Sequence, residues 1–378
     1  MIIWLAMVVP VIAAVVLYFR FKRRVLWWEF LVPFAASVVL IGASKAITAA
    51  AQTHDKEYWG GWVTTTEYYE DWNETVPCSH TKYCTRSYPC GNQTCTDEYA
   101  CGTEHLYDVD YHSPYWQVVD SNGIAIGVTQ SRFEYLCTKF RNRRFVDLHR
   151  NYHTNDGDKY AATWDGREDN IEVVTTIHNY ENRVQASSSV FNFITVDPKK
   201  YDLFEYPEIY DDYKCHSVLG NGGPTMINAQ WKLDYWNARL GAAKQIRMFI
   251  LVFMDKPLEA AVEQESYWKG GNKNEFILAI GVNKQHEVQW AYVISWTPVE
   301  SLKIEARNFA VEQKQLDLVK IADWLGHNIR EKWVRKQFAD FSYITVEPPT
   351  WAVILALLLT IAINIGTSWW VVNNECRE

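Results

Sequence analysis

Apolar positions along this chain form three long uninterrupted stretches, separated by a middle in which short apolar runs alternate with turn residues. Residues 2–19 hold eighteen positions without a charge, which predicts a first transmembrane helix over 1–19, kinked at Pro10. The stretch 27–51 predicts a second, and its Glu29 and Lys45 lie near the two ends, where a charged side chain reaches the interface. Residues 351–372 form the third, 22 uncharged positions with Pro348 and Pro349 ahead of them and Trp369 and Trp370 near the far end as an aromatic belt. A cleaved leader does not fit the first stretch, because no Lys or Arg precedes it while Arg20, Lys22, Arg23 and Arg24 follow it.

Between the second and third stretches the pattern changes twice. Residues 52–113 are rich in Cys, Tyr, Thr and acidic side chains and poor in aliphatics, a segment that needs cross-links because it cannot bury a core of its own. Over 114–224, short runs at 115–119, 124–128, 171–177 and 190–196 predict a β-rich region, its first two strands joined as a hairpin by Asp120-Ser121-Asn122-Gly123. Over 225–347 the period lengthens. Residues 231–246 predict a helix, 248–254 a buried strand, 257–268 a helix with Pro at its start, 275–282 and 288–296 strands, and 316–333 an amphipathic helix. In that last helix Leu318, Ala322, Leu325, Ile329 and Trp333 form one apolar stripe for a core, while Lys320, Arg330, Lys332, Arg335 and Lys336 fall elsewhere. The fold class is an α+β membrane protein: three transmembrane helices, a Cys-rich β region and a membrane-proximal α/β domain.

Charge then assigns sides. The four basic residues between 20 and 26 put that loop in the cytoplasm, which leaves the large middle extracytoplasmic and returns the tail 373–378 to the cytoplasm. The whole chain has 37 Lys and Arg against 45 Asp and Glu, an acidic balance that argues against a nucleic-acid partner. Its 48% hydrophobic content excludes a disordered chain.

The run Met248 to Phe253, the helix ending at Trp268, and Gly270-Gly271-Asn272-Lys273-Asn274-Glu275 leading into an aliphatic strand resemble the core of TPM-domain proteins. In that family a strand, a helix ending in Trp-x-x-Gly and an Asn before an aliphatic strand recur, often beside a membrane anchor. The resemblance covers roughly a quarter of the chain and implies a TPM-like fold for 225–347. The family's Asn-Gly is Asn274-Glu275 here, and Asn283-Lys284-Gln285 replaces its Asp-Arg, so the metal-dependent phosphatase activity reported for some members does not carry over.

Seven cysteines, Cys78, Cys84, Cys90, Cys95, Cys101, Cys137 and Cys215, fall in the predicted external part, and Cys376 lies beyond the third stretch. Two or three disulfides at about 2–4 kcal/mol each would hold the Cys-rich segment, and the odd count leaves one thiol free, shared between chains or bound to something. Cys78, His80, Cys84 and His105 are the alternative, a soft-ligand set for zinc that lacks the C-x2-C spacing of structural sites. Disulfides are the preferred reading, so no cofactor is expected and zinc is the exception. His149, His153 and His178 near Asp147, Asp156, Asp158 and Asp165 make a second candidate metal region, and Asn155 to Asp158 reads as a turn rather than a calcium loop. Gly220-Asn221-Gly222-Gly223-Pro224 reads as a loop between domains, and Asn73 and Asn92 open glycosylation sequons. The chain carries no G-x-S-x-G, H-E-x-x-H, P-loop or G-x-G-x-x-G motif. Trp59, Trp62, Tyr68, Tyr69 and Trp72 crowd the start of the middle region, as strand residues packed on the domain or as a partner surface.

These features describe a membrane-anchored extracytoplasmic scaffold or interaction protein rather than an enzyme. It would sit in the plasma or inner membrane and assemble with copies of itself or with another membrane protein, the lipid bilayer being its other partner. The alternative is an extracytoplasmic, phosphatase-like, metal-dependent hydrolase, and a third reading is an accessory subunit of a sensor or transporter.

Overall fold

The computed structural model describes residues 2–21, 31–90, 93–148, 157–186, 193–341 and 343–375. The chain begins with a 3-10 turn over Ile2–Met7 that passes into helix α1 (Val8–Phe21). Pro10 sits in the first turn of α1, just past the change from 3-10 to α form at Val8. Of the predicted basic loop Arg20 falls in the last turn of α1, while Lys22, Arg23, Arg24 and Glu29 lie outside the described residues. Helix α2 (Leu31–Thr53) runs straight into strand β1 (His54–Tyr69).

Strand β1 is the spine of the first sheet. After it the chain runs out and back as β2 (Trp72–Cys90) and β3 (Gln93–His112), then adds β4 (Tyr115–Asp120), β5 (Ala125–Gly127), α3 (Gln130–Phe140), β6 (Arg144–Val146), β7 (Lys159–Thr163) and β8 (Val173–Glu181). The order is β5-β4-β1-β7-β6, all antiparallel. Strand β8 pairs with the first half of β1, His54 through Trp62. Helix α3 starts where the Thr129 hydroxyl accepts the Arg132 amide at 3.3 Å and stops at left-handed Arg141. It lays Phe133, Leu136 and Phe140 on Val63, Val118 and Ala162 to make a small core. The hairpin expected at Asp120 to Gly123 is present, with the Asp120 carboxylate accepting the Asn122 and Ile124 amides at 2.9 and 2.7 Å.

The second sheet follows a short helix α4 (Arg183–Ala186) and a two-residue pair β9 (Ile209–Tyr210) and β10 (Lys214–Cys215). It comprises β11 (Val218–Gly220), helix α5 (Met226–Lys244), β12 (Arg247–Met254), α6 (Glu259–Tyr267), β13 (Glu275–Val282), β14 (Val288–Ser295), α7 (Glu300–Glu312) and α8 (Leu318–Lys332). Strands run β11-β12-β13-β14, the first three parallel and β14 antiparallel. Helices α5, α7 and α8 bury Leu233, Leu302 and Leu325 against one face, and α6 with residues 201–206 covers the other with Leu203, Ala260 and Trp268. Covering both faces is why β12 and β13 read as unbroken apolar runs and not as alternation. The five-residue stripe of α8 and its end is buried as its spacing predicts.

Two expectations change. Residues 193–196 form no strand; Val196 packs on the α6-covered face of the sheet, and 187–192 lie outside the described residues. The glycine loop 220–224 joins β11 to α5 inside the α/β unit, so it is not a connection between domains.

The two sheets meet through backbone. A Cβ on Gly60 would sit 2.3 Å from the Asn237 carbonyl, and one on Gly241 would sit 1.9 Å from the Gly60 carbonyl, so α5 crosses β1 at a distance only two glycines allow. Beside that crossing the Arg239 guanidinium lies 5.3 and 5.1 Å from the Trp62 and Trp164 ring centres. The aromatic crowding at the start of the middle region is thus in good part strand packing on the domain.

Helix α9 (Thr350–Glu375) closes the chain and packs beside α1 and α2. Helices α2 and α9 are long and apolar enough to cross a membrane, and only 22% of each apolar stretch is covered by protein. Inside this bundle the Asn364 amide donates to Ser37 Oγ at 3.0 Å and to the Thr360 carbonyl at 2.7 Å, tying α9 to α2 where no water is needed.

Candidate functional site

Two features stand apart from the packed framework: the β2–β3 ribbon and a polar cleft where β1 meets the α/β unit. At roughly 3.4 Å per residue the ribbon reaches about 60 Å from its base. Its register runs from Trp72 opposite His112 to Cys90 opposite Gln93, with Cys101 the extra residue at a bulge beside Lys82 and Tyr83. That bulge residue is bonded to Cys84, and Cys90 is bonded to Cys95 close to the tip. Alternation places Tyr88, Tyr99, Arg86 and Asp97 on the face that carries Cys84 and Cys95. Arg86 reaches Asp97 at 3.5 Å and lies 5.6 Å from the Tyr99 ring centre. Tyr83, Tyr88, Tyr99 and Tyr111 are all exposed.

The disulfide reading therefore holds for two pairs. Cys137 and Cys215 are unpaired and buried, and burial raises both thiol pKa values, which makes them poor nucleophiles. Of the zinc set, Cys84 is committed to Cys101, and the side chains of Cys78, His80 and His105 lie outside the described residues. His149, His153, Asp156, Cys376 and the sequon residue Asn92 also lie outside them, as does the side chain of the other sequon residue, Asn73. Asp158, Asp165 and His178 of the second metal region go to separate partners. Asp158 accepts the Leu148 amide, Asp165 holds Arg167, and His178 stacks on Trp59 with ring centres 3.8 Å apart. Among the described residues no three His, Cys, Asp or Glu side chains converge as a metal site.

The cleft, about 410 Å³, is lined by His54, Asp55, Lys56, Tyr58, Tyr206, Trp268, Gly271 and Asn272. It is assembled by the loop 268–274, whose asparagines grip β1: Asn272 Nδ2 donates to the Lys56 carbonyl at 3.2 Å and Asn274 Nδ2 to the Tyr58 carbonyl at 3.0 Å. Left-handed backbone at Lys269, Gly270 and Gly271 turns the loop tightly enough to present both amides. The Asp55 carboxylate accepts Asn182 Nδ2 at 2.7 Å and the Lys56 amide at 2.8 Å. The Tyr180 hydroxyl lies 3.0 Å from Asp55 and 2.7 Å from Asn272 Oδ1, sharing its proton between them.

Behind this wall lies Glu275, 1% exposed, which accepts from the Tyr206 hydroxyl and from the Asn272 amide at 2.8 Å. Burial raises the Glu275 pKa, and burial together with Glu275 pushes that of Tyr206 well above the ordinary phenol range. Burial, with Glu275 and Asp55 among the nearby negative groups, raises Tyr58. Next to the cleft Lys273 lies 5.7 Å from the Tyr180 ring centre, and burial, assisted by Arg335, lowers its pKa to about 8. Arg335 in turn pairs with buried Glu57, whose carboxylate also accepts Trp59 Nε1 at 2.9 Å.

Sequence reasoning singled out Asn272, Asn274 and Glu275 as motif positions but gave them no task. It missed Asp55, Tyr58, Tyr180 and Tyr206, whose only sequence signal is that Asp55 and Tyr58 directly follow the second apolar helix. No family model, curated protein or solved structure matches the chain.

Proposed function

We propose that this chain is a membrane-anchored scaffold that presents the β2–β3 ribbon to a partner, either another copy or a second membrane protein. The single observation that carries this reading is the ribbon itself. An isolated two-stranded hairpin is marginal in water, yet this one is extended, stapled twice and lined with exposed tyrosines and an arginine, the residue types that anchor interfaces. A protein gains nothing in its own stability from such an arm.

Anchoring is supported by α2 and α9, whose apolar surfaces are far too uncovered for core helices. In this reading α1 is a third span: its fourteen residues and the six-residue turn before it add to about 33 Å, the thickness of a hydrocarbon core. The basic loop after it is then cytoplasmic, and the body and the disulfide-bonded ribbon lie on the extracytoplasmic side of the plasma or inner membrane. A TPM-like α/β unit would serve as the rigid base from which the arm projects.

The test is photo-cross-linking in native membranes from a probe at Tyr99, with a probe at exposed Ile304 on α7 as the control. The reading expects a discrete cross-linked species from Tyr99 and none from Ile304. Absence of a product from probes at Tyr83, Tyr99 and Tyr111 alike would remove the ribbon from the interaction.

A further inference from the structure

We infer that the cleft at the start of β1 binds an alkylammonium group, held by the Tyr58, Tyr206 and Trp268 rings and the Asp55 carboxylate. Three aromatic side chains converge there: Tyr206 lies 5.9 Å from Tyr58 and 5.1 Å from Trp268 between ring centres. Rings of this kind attract a cation through their negative faces, and quaternary ammonium groups, which cannot hydrogen-bond, are recognised in that way. The rings are fixed before any ligand arrives. Trp268 Nε1 donates to the Phe204 carbonyl at 2.8 Å, and the Tyr206 hydroxyl is held by Glu275.

The charge balance points the same way. Asp55 and Glu275 each receive only neutral donors, and neither has a Lys, Arg or His nitrogen within 4.0 Å among the described residues. Of the other buried carboxylates of the body, Glu67 pairs with Lys159, Glu57 with Arg335, and Glu172 with Arg132, Lys139 and Lys214, while Asp120 accepts only from Asn122 and Ile124. His54 and Lys56 also line the cleft, yet neither side chain pairs with Asp55, whose carboxylate is left for a cation. The neighbouring wall already holds one alkylammonium, that of Lys273 against the Tyr180 ring. The volume of about 410 Å³ admits a choline-sized head group with room to spare.

The position also suits such a ligand, since Asp55 follows the last residue of α2 by two positions and so lies beside the predicted membrane surface. A free quaternary amine and a lipid head group share the same chemistry, and the experiment separates them. Full-length protein in maltoside detergent is titrated with choline, with its neutral tert-butyl analogue and with inorganic phosphate, followed by calorimetry and tryptophan fluorescence. Saturable choline binding, at least about tenfold tighter than the neutral analogue, is expected, with phosphate silent. Asp55→Asn and Tyr58→Ala should each weaken choline by on the order of tenfold while the melting temperature holds.

The source is read in nanodiscs. If a lipid head group occupies the cleft, free choline binds in phosphatidylglycerol discs and loses affinity in phosphatidylcholine discs; if the ligand is free in solution, the two discs bind alike. Equal binding of choline and its neutral analogue by the unaltered protein, or no saturable binding in either disc, would overturn the inference without recourse to any variant.

Discussion

The α/β unit and the ribbon are both built on β-strands, yet they are stabilised by opposite means. In the α/β unit every residue of β13 is buried and helices cover both faces, so the sheet is held by apolar area removed from water. In the ribbon the two long strands pair only with each other among the described residues, and the cross-links at Cys84–Cys101 and Cys90–Cys95 take the place of a core. The difference teaches that exposure in the ribbon is maintained at a cost in covalent chemistry. A surface kept open in this way is a surface available to something else.

The strongest way to break the comparison is to open a cavity in the sheet. Leu278→Ala should cost about 4 kcal/mol and lower the thermal midpoint of the body, while protease resistance of the ribbon is unchanged. A shift in both would mean that they unfold as one unit.

The next effect is electrostatic and belongs to the first sheet. Glu172 is 6% exposed, and although burial alone would raise its pKa, Lys214, Lys139 and Arg132 hold it at about 2 against an ordinary 4.5. Because the folded value lies below the unfolded one, the stabilisation is complete above about pH 4.5 and is lost as the pH falls through about 2. The shift corresponds to about 3 kcal/mol. Urea midpoints measured at pH 7 and pH 3 should separate for the natural chain and converge for Glu172→Gln.

Reduction addresses the ribbon alone. Closing loops of 5 and 17 residues contributes about 2 and 3 kcal/mol, so dithiothreitol should expose 81–102 to proteolysis. The melting of the body should not move, since its cysteines, Cys137 and Cys215, form no disulfide. The smallest effect sharpens the body's side of the comparison: Asp317→Ala removes the carboxylate that accepts the Lys320 amide at 3.0 Å and should cost α8 about 1 kcal/mol by chemical denaturation.

How far the sequence foretold each region follows from the same contrast. Helix α8 and strands β12 and β13 were legible because burial leaves a period, the stripe from Leu318 to Trp333 and the unbroken run from Met248 to Met254. The Cys-rich segment was read as β, but its two long strands and their register were not legible, since none of the described side chains of 81–90 and 94–102 is buried and its Thr, Tyr, Cys and acidic residues have no reason to alternate. The apolar run ending at Val196 misled for the converse reason: Val196 covers a sheet face without joining a ladder. The cleft was invisible because it is made by contacts across 216 residues, between Asn272 and Lys56. The glycines of Trp59-Gly60-Gly61-Trp62 were visible, but their partner Gly241 lies on a helix whose pattern shows nothing unusual.

The ribbon as the arm of assembly can be tested by removing it. Its base pair, Trp72 opposite His112, allows residues 73–111 to be replaced by a two-residue turn without disturbing β1 or β4. The decisive measurement is the mass of the detergent-extracted assembly, by light scattering, for the natural and the ribbon-less chain, with melting recorded on both. The account predicts an unchanged melting temperature of the body and the loss of the larger species. An assembly of the same partner stoichiometry without the ribbon would contradict it.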